Sequence, residues 1–438
     1  MDWPSAIALL FGMIIGLMLL GMPVAIAFLA SNIIGAWVFI GGPLGVSQML
    51  NNGFGAMTNF SLVPIPMFLL MGELFYHTGL GQRMFNAIDR LFGNIPGRLA
   101  YVTVAGGTGF AALSGSSMGS TALLGSLMVP EMMRRGYSKY LSIGPILGTG
   151  GLAVIIPPSA LAVLLATLGQ SDVAALLIAG VVPGIILATF YFVLIAAWTM
   201  LDPNAAPGYL AEHVSLREKL RLVVVDILPL IGAIVLTIGV MVTGWATPTE
   251  AAAIGCVTVL VLAIAYRSLN WRGISASING ALRVTVMAFL IIFGSATFSQ
   301  ILAFSGASFG LIEWATGFDA SPMVMLLLMM AVLLFLGCFM DQLSMMLLTA
   351  PIFFPLAKSL GFDLTWFGLI MLLTLEIGFT TPPFGLLLFV MKGVAPPGTT
   401  MKDIYLSAMP FIACVFLLIA LIILFPPLAT WLPSIAVR

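Results

Sequence analysis

The sequence predicts an all-α polytopic membrane protein built from two inverted repeats, each with five spans, a re-entrant hairpin and a broken helix. Three observations lead there. The 438 residues are 61% hydrophobic and 7% charged, where a soluble domain carries roughly 25% charged residues. Apolar runs of about 18 residues or more recur from end to end, and they are continuous rather than alternating, which favours helices over a closed barrel. The chain also repeats itself at a spacing of 225 residues: Val129-Pro130 with Gly136-Tyr137 recurs as Phe354-Pro355 with Gly361-Phe362, Ile155-Ile156-Pro157-Pro158 as Thr380-Thr381-Pro382-Pro383, and Pro23 as Pro248. Matched membrane halves whose helices are broken by proline are the build of secondary transporters.

The formal net charge is zero, without a basic tail, which excludes nucleic acid as an expected partner. Cys256, Cys338 and Cys414 sit in apolar surroundings without paired spacing, so neither a disulfide framework nor a zinc site is expected. The start, Met-Asp-Trp-Pro-Ser, lacks a positive n-region and a cleavage site, so the first helix is expected to be retained.

Residues 5–40 are too long for one span: at about 1.5 Å per residue they would cover about 54 Å of a core about 30 Å thick. Gly21-Met22-Pro23 divides them in two. Residues 44–57 read as a short surface segment, 59–78 as a span and 80–93 as an amphipathic interfacial helix. Two short apolar runs, 98–113 and 117–134, flank Ser114-Gly115-Ser116-Ser117; with arginine at their outer ends they read as a re-entrant hairpin, 98–134. A broken helix, 138–170, is interrupted at Pro157-Pro158, and a span at 173–200 follows. The polar stretch from Asp202 to Arg221 separates the repeats, 1–212 and 213–438. The second repeats the order: spans at 223–243 and 249–266, an amphipathic piece at 270–283, a span at 285–304, a hairpin at 322–357, a broken helix at 362–395 and a last span at 404–430.

Five crossings per half is an odd number, so the second half is inverted. With 202–221 in the cytoplasm, fourteen of the sixteen lysines and arginines, from Arg83 to Lys402, fall on that side, and only Lys358 and Arg438 outside. The first hairpin then enters from the cytoplasm and the second from outside.

Hairpin tips and helix breaks are expected to meet near the midplane. A helix ending inside the membrane leaves free carbonyls at its C-terminus, which suit a small cation, and free amides at its N-terminus, which suit an anion. Ser114, Ser116, Ser117, Thr380 and Thr381 add hydroxyl oxygens, and Asp341 is the one carboxylate at a tip. Such oxygen-rich, charge-poor sites suit sodium. Gly-Ser-Ser runs also serve as packing surfaces and Pro-Pro as a kink; the recurrence of both features at matching places favours a transport site. Glu73 and Glu376 are intramembrane acids and so functional candidates. Glu376 lies one turn before a break, whereas Glu73 and His77 read as structural, and His213 sits in the polar connector.

The segment Met71-Gly72-Glu73-Leu74 with Tyr76-His77-Thr78-Gly79-Leu80, the tip Ser114–Ser117, Val129-Pro130-Glu131-Met132, Gly136-Tyr137, Ile155-Ile156-Pro157-Pro158-Ser159 and Ala179-Gly180-Val181-Val182-Pro183-Gly184 resemble the large membrane subunit (DctM-type) of tripartite ATP-independent periplasmic (TRAP) transporters, along essentially the whole chain. The resemblance implies an elevator-type fold of the ion-transporter superfamily, in which hairpins and broken helices form a transport domain that slides against a scaffold of the other spans. It implies a sodium-driven importer in a bacterial inner membrane, with no cofactor beyond the coupling ion. The substrate would be a carboxylate-bearing small molecule: a C4-dicarboxylate, sialic acid or another organic acid. The implied partners are a small membrane subunit, expected as a separate polypeptide, and a periplasmic substrate-binding protein.

Carried onto this sequence, sodium is expected at Ser114, Gly115, Ser116 and Ser117 with the residues before Pro157, and at Gly337, Met340 and Asp341 with Thr380, Thr381 and Pro382. The substrate is expected at Ser116, Ser117, Pro158, Ser159, Asp341 and Pro383. The second tip lacks serine until Ser344, so the two sites are expected to differ in affinity. A stand-alone divalent-anion/sodium symporter is the alternative; such proteins carry Ser-Asn-Thr at both tips, which this chain lacks. An intramembrane enzyme is disfavoured, because both histidines are poorly placed and neither His-Glu-x-x-His nor Asp-Asp-x-x-Asp occurs. Paired broken helices favour alternating access over a channel.

Overall fold

The computed structural model describes residues 2–92, 95–206, 215–317, 321–337, 339–382 and 385–436, with the backbone alone at Leu19, Leu113, Ser114, Ala315 and Thr316. The boundary at 212/213, His213, Cys338 and Pro383 lie outside the described residues. Among the described residues the chain is helical throughout, without a strand. Seven helical stretches among the described residues are long and apolar enough to cross a membrane, and one bent pair makes an eighth. The protein is a multi-pass all-α membrane protein.

The first half opens with α1 (Trp3–Leu19), which ends at Gly21 in the left-handed region (φ 84°), and α2 (Val24–Gly35), which starts after Pro23. A π-helical turn, Ala36–Gly41, leads into α3 (Gly42–Met57). Residues 44–57 thus belong to a mostly exposed helix that packs by one narrow stripe. Its stripe is Gly45, Met49 and Gly53, and the glycines let it approach a neighbour closely, so hydrophobicity alone under-reads it. Next come α4 (Pro64–His77) and, after Gly79 (φ 76°), the amphipathic α5 (Leu80–Leu91). The first hairpin is α6 (Arg98–Ser114) and α7 (Ser117–Arg134). The broken helix is α8 (Lys139–Ile155) and α9 (Ala160–Leu168), bent by 49°, with a cis Pro157–Pro158 bond between them. The half closes with α10 (Val173–Ala179) and α11 (Val181–Leu201).

The second half runs through α12 (Leu216–Arg221), α13 (Leu228–Val242) and α14 (Pro248–Ala265), whose start is fixed by a capping box between Thr247 and Glu250. The pieces expected at 270–283 and 285–304 form one helix, α15 (Trp271–Phe304). Its glycines stay helical, whereas the corresponding stretch of the first half is interrupted between α3 and α4, at residues 58–63. The sequence reading also missed α16 (Ala307–Thr316). The second hairpin is α17 (Pro322–Gly337) and α18 (Gln342–Ser359), and the second broken helix is α19 (Leu364–Thr380) and α20 (Leu386–Val394). The chain ends with α21 (Met401–Leu424) and α22 (Pro427–Ala436).

The repeat is kept in backbone detail. Helices α7 and α18 have 18 residues each, and α8 and α19 have 17 each. Ser138 caps α8 through Leu141 N, and Asp363 caps α19 through Trp366 N. Gly136 and Gly361, at φ 83° and 78°, supply the left-handed residue just before each.

Helices pack in two groups. One is α4 with α14 and α15, joined by α2, α3 and α13. In the other, α8 lies against both hairpin helices α6 and α7, and α19 against α17 and α18. Helices α8 and α19 also pack on each other, and α11 and α21 cover α8. The half-helix after each break rests on the other repeat: α9 on α18, and α20 on α7. Ion pairs Arg83–Asp226 (2.5 Å), Arg98–Asp89 (3.1 Å), Lys139–Asp403 (2.9 Å) and Arg90–Glu218 tie together the polar ends where the basic residues concentrate.

Candidate functional site

Each hairpin tip is a short turn between a helix C-terminus and a capped N-terminus. At the first, Gly115 takes the left-handed conformation (φ 58°), and Ser116 caps α7, its Oγ accepting from Gly119 N at 3.1 Å. At the second, Asp341 caps α18: Oδ2 accepts from Leu343 N (3.1 Å) and Ser344 N (3.4 Å), and Oδ1 from the Ser344 hydroxyl. Ser116 and Asp341 are equivalent in the repeat, so one geometric task is done by a hydroxyl in one half and a carboxylate in the other. Ser159 caps α9 through Ala162 N (3.2 Å). The predicted polar side chains therefore first satisfy helix amides. The carbonyls at the ends of α6, α8, α17 and α19 are the other acceptors that helix ends supply there.

The first tip meets the first break: a Cβ on Gly115 would lie 3.6 Å from the Pro158 carbonyl oxygen. The second tip meets the helix before the second break, where a Cβ on Gly337 would lie 2.3 Å from Gly378 Cα. Thr380 Oγ1 donates to the Glu376 carbonyl (2.9 Å), and Thr381 Oγ1 to that of Ile377 (2.5 Å). Met340 and Pro382 are half-buried beside them. The Ser114 side chain and Pro383 lie outside what is described.

Two features escaped the sequence reading. Gln342, the first residue of α18, donates with Ser117, the first residue of α7, to the buried Glu376 carboxylate. Its repeat equivalence to Ser117 was the available signal. The second is a glycine cradle. A Cβ on Gly180 would lie 1.9 Å from the Ile155 carbonyl oxygen, and one on Gly184 would lie 2.5 Å from the Ile156 side chain. The spacing Gly180-x-x-x-Gly184 is the small-residue pattern that lets helices approach closely, and here it holds the end of α8 at the break. Glu73, by contrast, pairs with His77 (3.1 Å) on its own helix.

A cavity of about 1010 Å³ lies apart from the tips, between the start of α4, the α9–α10 turn, the start of α14 and α15. Its polar lining includes Asn59, Gln170, Asp172, Ser299 and Gln300, and no tip residue.

The fold and these paired breaks define a membrane transport protein. Residues 11–428 match the family described as "Tripartite ATP-independent periplasmic transporter, DctM component", and the chain belongs to that family. It is 32% identical over 400 residues to the C4-dicarboxylate TRAP transporter large permease protein DctM of Pseudomonas aeruginosa, covering 91% of this chain and 92% of that protein. It is 30% identical over 432 residues to the ectoine TRAP transporter large permease protein TeaC of Halomonas elongata, covering 97% and 98%. Among solved structures, the YdaH transporter of Alcanivorax borkumensis shares the fold, with a TM-score of 0.61 at 14% identity over 89% of this chain and 91% of that one.

Proposed function

We propose that this chain is the large permease subunit of a sodium-coupled importer of carboxylate-bearing small molecules in a bacterial inner membrane. The membership of a tripartite transporter family supports two partners, a small membrane subunit and a periplasmic protein that delivers the substrate. The observation that carries the ion reading is the pairing of two hairpin tips with two helix breaks in matched repeats. Carbonyl ends of α6, α8, α17 and α19 would hold sodium, with Ser114, Gly115 and Ser116 at one site and Gly337, Met340, Asp341, Thr380, Thr381 and Pro382 at the other. The helix N-termini at Ser116 and Ser117, Ser159 and Asp341, with Pro158 and Pro383 at the breaks, would receive a substrate carboxylate. The inverted orientation of the halves and the cross-packing of α9 on α18 and α20 on α7 support one moving body, sliding as an elevator against α4, α14 and α15. The large cavity opens on the side that the charge distribution assigns to the periplasm, a path for the incoming substrate.

Thermal stability of the purified chain across a sodium titration, with potassium and choline at matched ionic strength, tests the ion. A ligand at 100 times its Kd stabilises by about 2.7 kcal/mol. A sodium-specific rise in Tm is expected; equal curves in the three salts would remove the coupling-ion reading. Uptake in vesicles with and without the two partners separates this reading from a stand-alone symporter, which needs neither.

A further inference from the structure

The carboxylate of Glu376 is 3% exposed and stands between the two hairpins. Its Oε2 accepts from the Ser117 hydroxyl (3.3 Å) and from Gln342 Nε2. Ser117 and Gln342 are 225 residues apart, so they are the same position of the two repeats, each immediately after its tip cap. The residue equivalent to Glu376 is Gly151, and it faces the acid: a Cβ on Gly151 would lie 3.0 Å from Glu376 Cγ and 3.2 Å from its Oε1. The helices α8 and α19 thus cross at one repeat position, with side chain on one helix and none on the other. One carboxylate oxygen is shared by two symmetry-related donors, placing it at the local pseudo-twofold axis of the hairpins. The other oxygen, Oε1, is buried and makes no hydrogen bond among the described residues.

We infer that Glu376 is a positioning residue that couples the two hairpin tips, so that ordering one tip favours ordering the other. A buried acceptor shared by two donors holds both at once. Moving Ser117 or Gln342 leaves the remaining partner bound to a carboxylate that is no longer fixed, in a low-dielectric site where an incomplete polar network is costly. The link is short: each donor is one residue from the cap of its tip. With cations at the tips, a point that rests on the proposed sodium reading, occupancy of one site raises affinity at the other. Such couplings span about 5- to 150-fold, and ordering alone can transmit them.

Hydrogen–deuterium exchange of the purified full-length chain tests this with and without sodium. In Gln342→Leu, exchange is expected to rise about 5-fold or more at residues 115–120, on the opposite hairpin, as well as at 340–346. In Ser117→Ala the second tip should respond likewise. Glu376→Leu should loosen both, and Glu376→Gln, whose side-chain oxygen still accepts from both donors, should restore most of the protection; this variant keeps the test available if the leucine variant misfolds. Changes confined to the substituted hairpin in Gln342→Leu and Ser117→Ala would overturn the coupling. Failure of sodium to protect either tip of the parent chain would sink the sodium reading alone, because the cross-hairpin response is read in sodium-free buffer.

Discussion

Gly337 and Gly378 meet backbone to backbone, with each alpha carbon where the other's side chain would stand: a Cβ on Gly337 would lie 2.3 Å from Gly378 Cα, and one on Gly378 3.0 Å from Gly337 Cα. Glycine at both positions lets the end of the second hairpin's first helix touch the helix that breaks three residues later.

Gly337→Ala should therefore lower Tm. The clash is with backbone, which no rotamer relieves, and overpacking of this kind costs about 1–3 kcal/mol. Gly393→Ala, where a Cβ would meet nothing within 4 Å, is the control and should be neutral or mildly stabilising. Equal melting of Gly337→Ala and the parent in differential scanning fluorimetry would contradict the close approach.

Asp341 is a cap in this structure and a proposed ligand in function, and two substitutions separate the roles. Asparagine caps about as well as aspartate, whereas alanine forfeits about 0.5–2 kcal/mol. Asp341→Asn should melt like the parent yet take up substrate poorly, and Asp341→Ala should lose both. Parent-like uptake by Asp341→Asn in reconstituted vesicles would leave Asp341 with the cap alone.

Ser116→Ala and Thr381→Ala should raise the sodium concentration for half-maximal uptake while leaving membrane insertion intact. The measurement is uptake against sodium at fixed ionic strength. Unchanged half-saturation in both variants would remove these hydroxyls from the ion sites.

Gly180→Ala should act on the first break from outside it. An added methyl group would overlap the Ile155 carbonyl oxygen, 1.9 Å from the Cβ position, and must displace the terminal carbonyl of α8. Both Tm and sodium affinity should fall. A variant with lowered Tm and parental sodium affinity would show that this carbonyl faces no ion.

Much of this architecture was legible because the repeat is written in residues with special backbone geometry. Gly136 and Gly361, the paired prolines and the caps Ser138 and Asp363 mark helix ends in both halves, so the ranges of α7, α8, α18 and α19 could be read closely. The reading failed where the halves diverge or packing is carried by glycine. The packing of α3 is hard to read because its buried stripe is mostly glycine, and α15 reads as two pieces because the matching stretch of the first half is interrupted between α3 and α4. The helix caps at the tips are marked in the sequence, but the contact between them is not: Gln342 has no motif value alone, its repeat equivalence to Ser117 is the one sequence signal, and its contact with Glu376 shows its place.

The placement of Glu376 opposite Gly151 also constrains how such a molecule arose. A group on a rotation axis cannot be duplicated with its chain: a second glutamate at position 151 would put two carboxylates in the same small space, where neither the volume nor the charge could be accommodated. The acid must belong to one half only. An ancestor made of two identical copies would have lacked it on both sides or carried the conflict on both, so this contact is open only to halves whose sequences are free to diverge.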